Sequence, residues 1–461
     1  MAKKPSKPVD DDAGFFGVPL EQPAAREVEA KAEPKSPAKS EAKPPAKSET
    51  KPFPSSVVDI KPEPSREPKP KPGRAPKAPV MQELNPDRPE SLPLLYKPPV
   101  PLSSILGQER AIETLRKSMN AGRIHHAWIF HGPPGVGKFT AALAFAAILL
   151  DPTSEPNFGG DIEPDPESRT QQMLRAGAHP DLNVVVKELA LYSRESEIRK
   201  RKLTNIPNEV VKEFFVEPAT RTTQSAAGAR AQKVFIIDEA ELLDPPAQNT
   251  ILKTLEEPPP GTVLILVTSA EHMLLATTRS RCQRVGFVSL DDKSMRSWLK
   301  ASGAEIGADE LAWLLSFARG SPGRLLNAHQ GGLHQWYTTL APMLEATVQG
   351  RYTLELGPTM HQLVDQWAKA FVERAEEANQ NASKEAANRA ATEEMFRLVA
   401  DFVLRAMRTG AEGGAAGGVL PEPAAAAIDA IREAEARGDA NVNGLFVLEG
   451  LSADLAAIFR S

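Results

Sequence analysis

A chain of 461 residues with a formal net charge of −5 is long enough for about three units of roughly 100–200 residues each. Its single cysteine excludes an intramolecular disulfide framework and a cysteine-rich zinc site, and fits a reducing cytoplasm. The longest uninterrupted apolar run, Ala141–Leu150, is too short to span a bilayer, and no apolar core follows Lys3 and Lys4, so neither a membrane span nor a secretory signal is predicted.

Proline and charge are unevenly placed. Of 42 prolines, 22 lie in residues 1–100, where 18 Lys+Arg stand against 15 Asp+Glu; the rest of the chain has 37 against 45. That acidic remainder argues against binding nucleic acid by bulk charge, while a local basic face stays open. Residues 1–98 are predicted to be a disordered Pro/Lys/Ala-rich tail, because the texture around Lys35–Lys51 and Glu63–Lys77 has few residues able to build a core. Within it Phe15-Phe16-Gly17-Val18-Pro19-Leu20, preceded by three aspartates, reads either as a short docking motif or as sporadic hydrophobicity in a linker.

Residues 99–290 alternate between β and α patterns. Ala127–Phe130, Asn183–Val186, Val234–Ile237 and Thr262–Val267 are short continuous apolar runs separated by helical stretches, which predicts a parallel sheet covered on both faces. Between the first strand and the apolar helix from Phe139 lies Gly132-Pro133-Pro134-Gly135-Val136-Gly137-Lys138, the context of a phosphate-binding loop. Glycines let successive N–H groups turn toward one anion, the helix N-terminus adds positive dipole, and Lys138 reaches the terminal phosphates. The full pattern has Ser or Thr next, as a magnesium ligand. Here Phe139 occupies that position, and Thr140 is rotated by about 100° from it on a helix, so it is not a direct replacement.

Val234–Ile237 ends in Asp238-Glu239, a Walker B arrangement in which Asp238 can hold Mg²⁺ through water and Glu239 can orient an attacking water. Thr268, at the end of the following strand, is either a γ-phosphate contact or a hydroxyl that caps the strand. In Thr278-Arg279-Ser280-Arg281-Cys282 the arginines are either an ordinary solvated face or groups held at a subunit edge to meet charge on a neighbour's phosphate. Lys187–Gln232 is long and charged, with a basic run at Arg194–Lys202: an insertion that contacts DNA or another subunit, or a solvated charged helix.

Beyond Leu290 strands vanish. Lys293–Ala301 and Glu310–Arg319 read as helices, Gly320-Ser321-Pro322-Gly323 breaks the chain before a helix from Arg324, and 291–332 is predicted to be a small helical lid. Residues 333–461 read as a Leu/Ala-rich all-α domain with a break at Thr409–Gly418.

The stretch Asn249–Pro259 reads as an amphipathic helix with Leu252 and Leu255 inward, stopped by prolines. With Ile105-Leu106-Gly107-Gln108, Arg123-Ile124-His125-His126-Ala127, the phosphate loop and Ser280-Arg281-Cys282, it resembles the bacterial sliding-clamp loader subunits of the AAA+ superfamily. Gly177-Ala178-His179-Pro180-Asp181, Gly320-Ser321-Pro322-Gly323-Arg324 and Phe139 make it most similar to the delta-prime type of DNA polymerase III. The resemblance implies a cytoplasmic subunit that assembles with motor and delta-type subunits through a C-terminal helical collar. Sliding clamp and primer-template DNA are then met through the assembly, without a membrane. It implies that Arg281 acts in trans on a neighbour's ATP, while the chain's own site, with Arg324 as a further nucleotide-binding candidate, binds ATP and Mg²⁺ with weak or absent hydrolysis. Clamp loader subunits of this type usually carry a four-cysteine zinc module before the His-Pro-Asp stretch; residues 151–178 have no cysteine, so no zinc is expected. The intact Asp238-Glu239 pair keeps a tau/gamma-like ATPase subunit as the alternative. A different AAA+ machine, such as a branch-migration helicase, is not expected to combine Leu255-Glu256-Glu257-Pro258-Pro259 with Ser280-Arg281-Cys282.

Overall fold

The computed structural model describes residues 96–157, 161–201, 204–223, 228–377, 384–411, 419–439 and 443–460. The predicted tail up to residue 95, with its Phe15–Leu20 patch, and most of the break at 409–418 lie outside the described residues. The chain runs α1 (Glu109–Asn120), β1 (Ala127–His131), α2 (Lys138–Leu150), a two-residue hairpin β2 (Glu155–Pro156) and β3 (Ile162–Glu163), α3 (Arg169–Arg175) and β4 (Leu182–Val185). Short helices α4 (Ser196–Arg199), α5 (Asn208–Val211) and α6 (Glu217–Thr220) precede β5 (Lys233–Ile237), α7 (Pro245–Glu256), β6 (Thr262–Thr268), α8 (Ala276–Arg281) and β7 (Gln283–Gly286).

Five strands form one parallel sheet in the order β4-β5-β6-β1-β7. The continuous apolar runs follow from burial on both faces. Alternate residues divide between two cores: Trp128, Phe130, Val234, Ile236, Ile265 and Val267 face α2, whereas Ile129, Phe235, Ile237, Leu264 and Leu266 join α5–α7 on the other side. On the first face α2 is apolar almost all round, with Phe145 edge-on to Trp128 at 5.3 Å between ring centres. On the second, Phe215 meets Phe235 edge-on at 5.0 Å, an arrangement worth about 0.5–1.5 kcal/mol beyond the area it buries. These are the layers of an α/β domain with a parallel sheet covered on both faces.

The charged stretch before β5 is not simply a solvated helix. A π-turn at Lys212–Val216 joins α5 to α6, and Val210, Val211, Phe215 and Ala219 are buried against the sheet. Its basic residues are partly spoken for: Arg194 pairs with Glu213 and Glu217, and Arg199 donates to the carbonyl of Ser193.

The segment after α2 is organised by Asp151. Its carboxylate is fully buried and accepts hydrogen bonds from Thr153 N and Oγ1, Ser168 Oγ and Gln171 Nε2, while Ser168 also caps α3. Burial alone raises this group's pKa, but the bonds from Ser168, Thr153 and Gln171 outweigh it and hold the carboxyl below its ordinary value.

After the sheet come α9 (Asp292–Ser302), α10 (Ala308–Ala318), α11 (Pro322–Gln330) and five longer helices, α12 (Leu333–Val348), α13 (Leu356–Glu377), α14 (Lys384–Ala411), α15 (Pro421–Asp439) and α16 (Gly444–Arg460). Among the described residues no helix is long and apolar enough to cross a membrane. The two helical groups meet at Asp401 on α14, nearly buried, which accepts from Arg319 at 2.9 Å and from Arg405 at 2.6 Å. Arg405 in turn lies near the rings of Trp313 and Tyr337.

Two stability outcomes follow. Asp401→Ala leaves two guanidinium groups without their anion and is expected to cost about 2–4 kcal/mol, allowing for the partial exposure of both arginines, read as a lower urea midpoint. Asp151→Asn should cost about 1–3 kcal/mol at pH 7, because a charged acceptor is lost. Since the folded carboxyl titrates below its unfolded value, that advantage is complete above the ordinary carboxylate range. It fades as pH falls through that range and below it, so wild type and variant should converge in acid in parallel urea titrations.

Candidate nucleotide site

The phosphate loop joins β1 to α2 at the carboxyl edge of the sheet. Gly132, Gly135 and Gly137 all adopt positive φ (138°, 73° and 99°), the left-handed region that side chains disfavour. Gly137 caps α2, and a Cβ added there would have nothing within 4 Å. Lys138 is nearly buried, and its Nζ donates to the carbonyls of Gly132 at 2.8 Å and Pro133 at 2.6 Å, which centres its charge over the loop. Burial lowers its pKa, with Glu241 and Asp238 pulling the other way. Phe139 turns into the first core and Thr140 is exposed, so neither places a group beside Lys138 as a Ser or Thr would.

The loop is held from outside. Gln108, buried, donates to the carbonyls of Val136 and Val288 and accepts from Val288 N. The lid closes on it through backbone. Gly323 N donates to Gly135 O at 2.9 Å, and Ser321, the cap of α11, donates its hydroxyl to Pro134 O at 2.9 Å.

Asp238 follows β5 directly. Burial, with the neighbouring charges of Glu239 and Glu241, pushes its carboxyl up to about 6 against the pull of the Glu239 N–H and Lys138. Glu239 takes φ 47°, a left-handed conformation rare for a side-chain-bearing residue, and pairs with Lys187 at 2.8 Å. Glu241 accepts from Ser269 Oγ and N and from Thr268. Thr268 is fully buried at the end of β6, in register with His131, the last residue of β1. The sheet therefore brings Gly132, Pro133, Pro134, Gly135, Val136, Gly137, Lys138, Asp238, Glu239 and Thr268 to one edge. Lys187 and Glu241 were missed in the sequence; the signal for both was a charged residue just past a buried strand's carboxyl end, two positions after β4 and four after β5.

Two candidates lie elsewhere. The Arg324 guanidinium stacks on Phe317 at 4.4 Å, its Nε has no hydrogen-bond partner, and burial lowers its pKa. Its charged surroundings are Asp401, Arg319, Glu394 and Arg397, so it faces the C-terminal helices and only its backbone approaches the loop. Arg281 ends α8, just before β7. It pairs with Glu256 at 2.9 Å and donates to Thr277 O at 3.0 Å, with 38% of its side chain exposed. The residue before Glu256, Leu255, bonds through its carbonyl to His126, which precedes β1. Arg281 thus sits at the amino edge of the sheet, the opposite edge from Lys138.

A parallel five-stranded sheet with a glycine loop, a Walker B strand end and a helical lid defines a P-loop domain of the AAA+ class. Residues 107–291 match the family described as DNA polymerase III, delta subunit. DNA polymerase III subunit delta′ of Escherichia coli is 32% identical over 238 residues, 51% of this chain and 64% of that one. The Pseudomonas aeruginosa delta′ subunit is 30% identical over 210 residues, 46% of this chain and 57% of that one. The tau subunit of Bacillus subtilis is 30% identical over 197 residues, 43% and 31%. The chain spans less than two thirds of the length of these relatives. The chain is thus similar to delta′ and tau subunits of bacterial DNA polymerase III, as the resemblance implied.

The two loop glycines make a contrast that stability measurements can read. A Cβ at Gly135 would lie 2.5 Å from Ser321 Oγ and 3.1 Å from Arg324 N, against backbone that cannot yield without moving the lid. Gly137→Ala meets only the backbone cost, about 1–2 kcal/mol. Gly135→Ala should cost at least about 1 kcal/mol more in urea melts.

Proposed function

We propose that this chain is a delta-prime-like subunit of a replicative clamp loader, in which Arg281 meets the phosphates of ATP bound by a neighbouring subunit. The placement of Arg281 carries this reading. It lies on the edge of the sheet away from its own phosphate loop, and an extended strand of five residues is about 17 Å long. The arginine therefore cannot serve the site built on Lys138. It is half-exposed and preset by Glu256 and Thr277 O, as a group acting across a subunit boundary needs to be.

Within its own site the residues fit a nucleotide's phosphates. The loop N–H groups and the α2 N-terminus would hold them, Lys138 would meet the terminal charge, and Asp238 would be the one acid left to face a nucleotide-borne magnesium ion, through water. Thr268, buried at the end of β6, is the proposed contact to the terminal phosphate or a nearby water. Bound ATP supplies the phosphoanhydride; the chain supplies orientation and charge. Glu239, the group that would draw a proton from water, is tied to Lys187 instead, which favours weak or absent turnover. Motor subunits and a delta-type subunit are the proposed partners through the C-terminal helices, with clamp and primer-template DNA reached through the assembly.

The alternative, a tau/gamma-like ATPase subunit, is favoured by one observation: Lys138, Asp238 and Thr268 are assembled at a single edge. In a loader reconstituted with this chain, Arg281→Ala should lower DNA-dependent ATPase by about tenfold or more without loss of assembly on gel filtration, given that such arginines contribute roughly 10³–10⁵ in rate. Unchanged ATPase would refute the trans role. Turnover by the isolated protein that disappears in Glu239→Gln would establish the motor reading instead.

A further inference from the structure

We propose that the phosphate loop binds nucleoside di- and triphosphates without a protein-held magnesium ion, so that its affinity is indifferent to magnesium. This deepens the nucleotide reading of the loop and rests on it.

The argument is an inventory of oxygen donors. Magnesium binds at near-octahedral geometry through oxygen, keeps several waters, and in P-loop sites takes its protein grip from the hydroxyl after the lysine and from the Walker B acid. The hydroxyl is replaced by Phe139, whose ring packs into the core under the sheet, and Thr140 is exposed on a different face of α2. A rotamer change cannot recover the ligand, because the residue has no oxygen at all.

Three carboxylates remain at the strand end, and two of them already have partners through one oxygen each. Glu239 is drawn to Lys187 at 2.8 Å by a backbone in the left-handed region. Glu241 accepts from Ser269 N and Oγ on one oxygen, and its other oxygen, without a hydrogen-bond partner, is enclosed away from solvent. Asp238 keeps free lone pairs, but its Oδ1 accepts from Glu239 N at 2.9 Å. One carboxylate acting through water is a weak hold on a cation that dehydrates reluctantly.

The phosphate side of the site, by contrast, keeps its loop and its lysine. Positive φ at Gly132, Gly135 and Gly137 shapes the loop, α2 begins at Lys138, and the lysine charge already lies over the loop carbonyls. Lys138 and the helix N-terminus then carry the neutralisation that a motor subunit shares with its metal. The site is expected to take the free and the magnesium-bound nucleotide alike.

The test is calorimetric titration of ADP and of ATP into the full-length protein, once in excess magnesium and once in excess EDTA. Dissociation constants within about threefold of each other are expected, since loss of a true protein–metal contact is worth at least about tenfold. Phe139→Thr restores the hydroxyl and should tighten only the magnesium arm, by about tenfold. Lys138→Ala should abolish binding in both arms. Wild-type binding that weakens tenfold or more in EDTA overturns the proposal and leaves nucleotide binding standing. Binding in neither arm, or binding that survives Lys138→Ala, overturns the nucleotide reading of the loop along with it. If Phe139→Thr fails to fold, the two wild-type arms still decide.

Discussion

The arrangement of the folded chain depends on one approach of backbone to backbone. At Gly135 the phosphate loop comes so close to the first turn of α11 that a Cβ on Gly323 would lie 2.9 Å from Gly135 Cα. Neither residue tolerates a side chain there, and the pair is closed by the Gly323 N–H to Gly135 carbonyl bond. Gly320, at φ 77°, makes a second such approach to the carbonyl of Leu290, which returns its own N–H to Gly320 O. Three glycines thus fix the lid on the α/β domain with almost no side-chain freedom. From the lid the constraint passes through Arg319, itself in a left-handed turn, to the buried Asp401 of α14. Displacing the loop therefore displaces the lid, and the lid is ion-paired to the long helices.

The carboxyl edge of the sheet shows what that rigidity does to chemistry. Asp238, Glu239 and Glu241 are separated by at most three residues, yet each has a different holder: a backbone N–H, a lysine, and a serine–threonine pair. Among the described residues these acids do not form a group of three that could hold a metal ion. Asp238, the most desolvated of them, responds with a raised pKa. Lys138 balances part of this charge and is itself held by loop carbonyls rather than by any of the three acids.

Much of this was legible in the sequence where a local rule and the tertiary structure agree. Apolar runs such as Val234–Ile237 implied a sheet buried on both faces, and the alternation of those residues between two cores is the reason they could afford no polar position. The glycine loop was legible because its conformation is local. Strand β7 was not read, since Gln283-Arg284-Val285-Gly286 buries one side chain of four at the sheet's edge. The charged stretch before β5 hid Val210, Val211, Phe215 and Ala219 among lysines and glutamates, although their spacing is that of a buried helical face. The hub at Asp151 was invisible for another reason. Its partners Ser168 and Gln171 lie 17 and 20 residues away, and nothing in the spacing announces that they converge.

Arginine position shows the limit most plainly. Arg324 and Arg281 carry the same group, and both were read as phosphate partners of one kind or another. Arg324 stands one residue past the Gly323 that packs on the loop, and on a helix one residue is about 100°, enough to carry its guanidinium onto Phe317 and toward Asp401. There it stiffens the junction between lid and long helices. Arg281 instead ends a short helix at the amino edge of the sheet, where Glu256, the residue after Leu255, holds it in an exposed position. A parallel sheet with a phosphate loop has its chemistry at the carboxyl edge. A guanidinium fixed at the other edge stands a strand's length from that chemistry, so the two arginines, alike in sequence, have different surroundings in the fold.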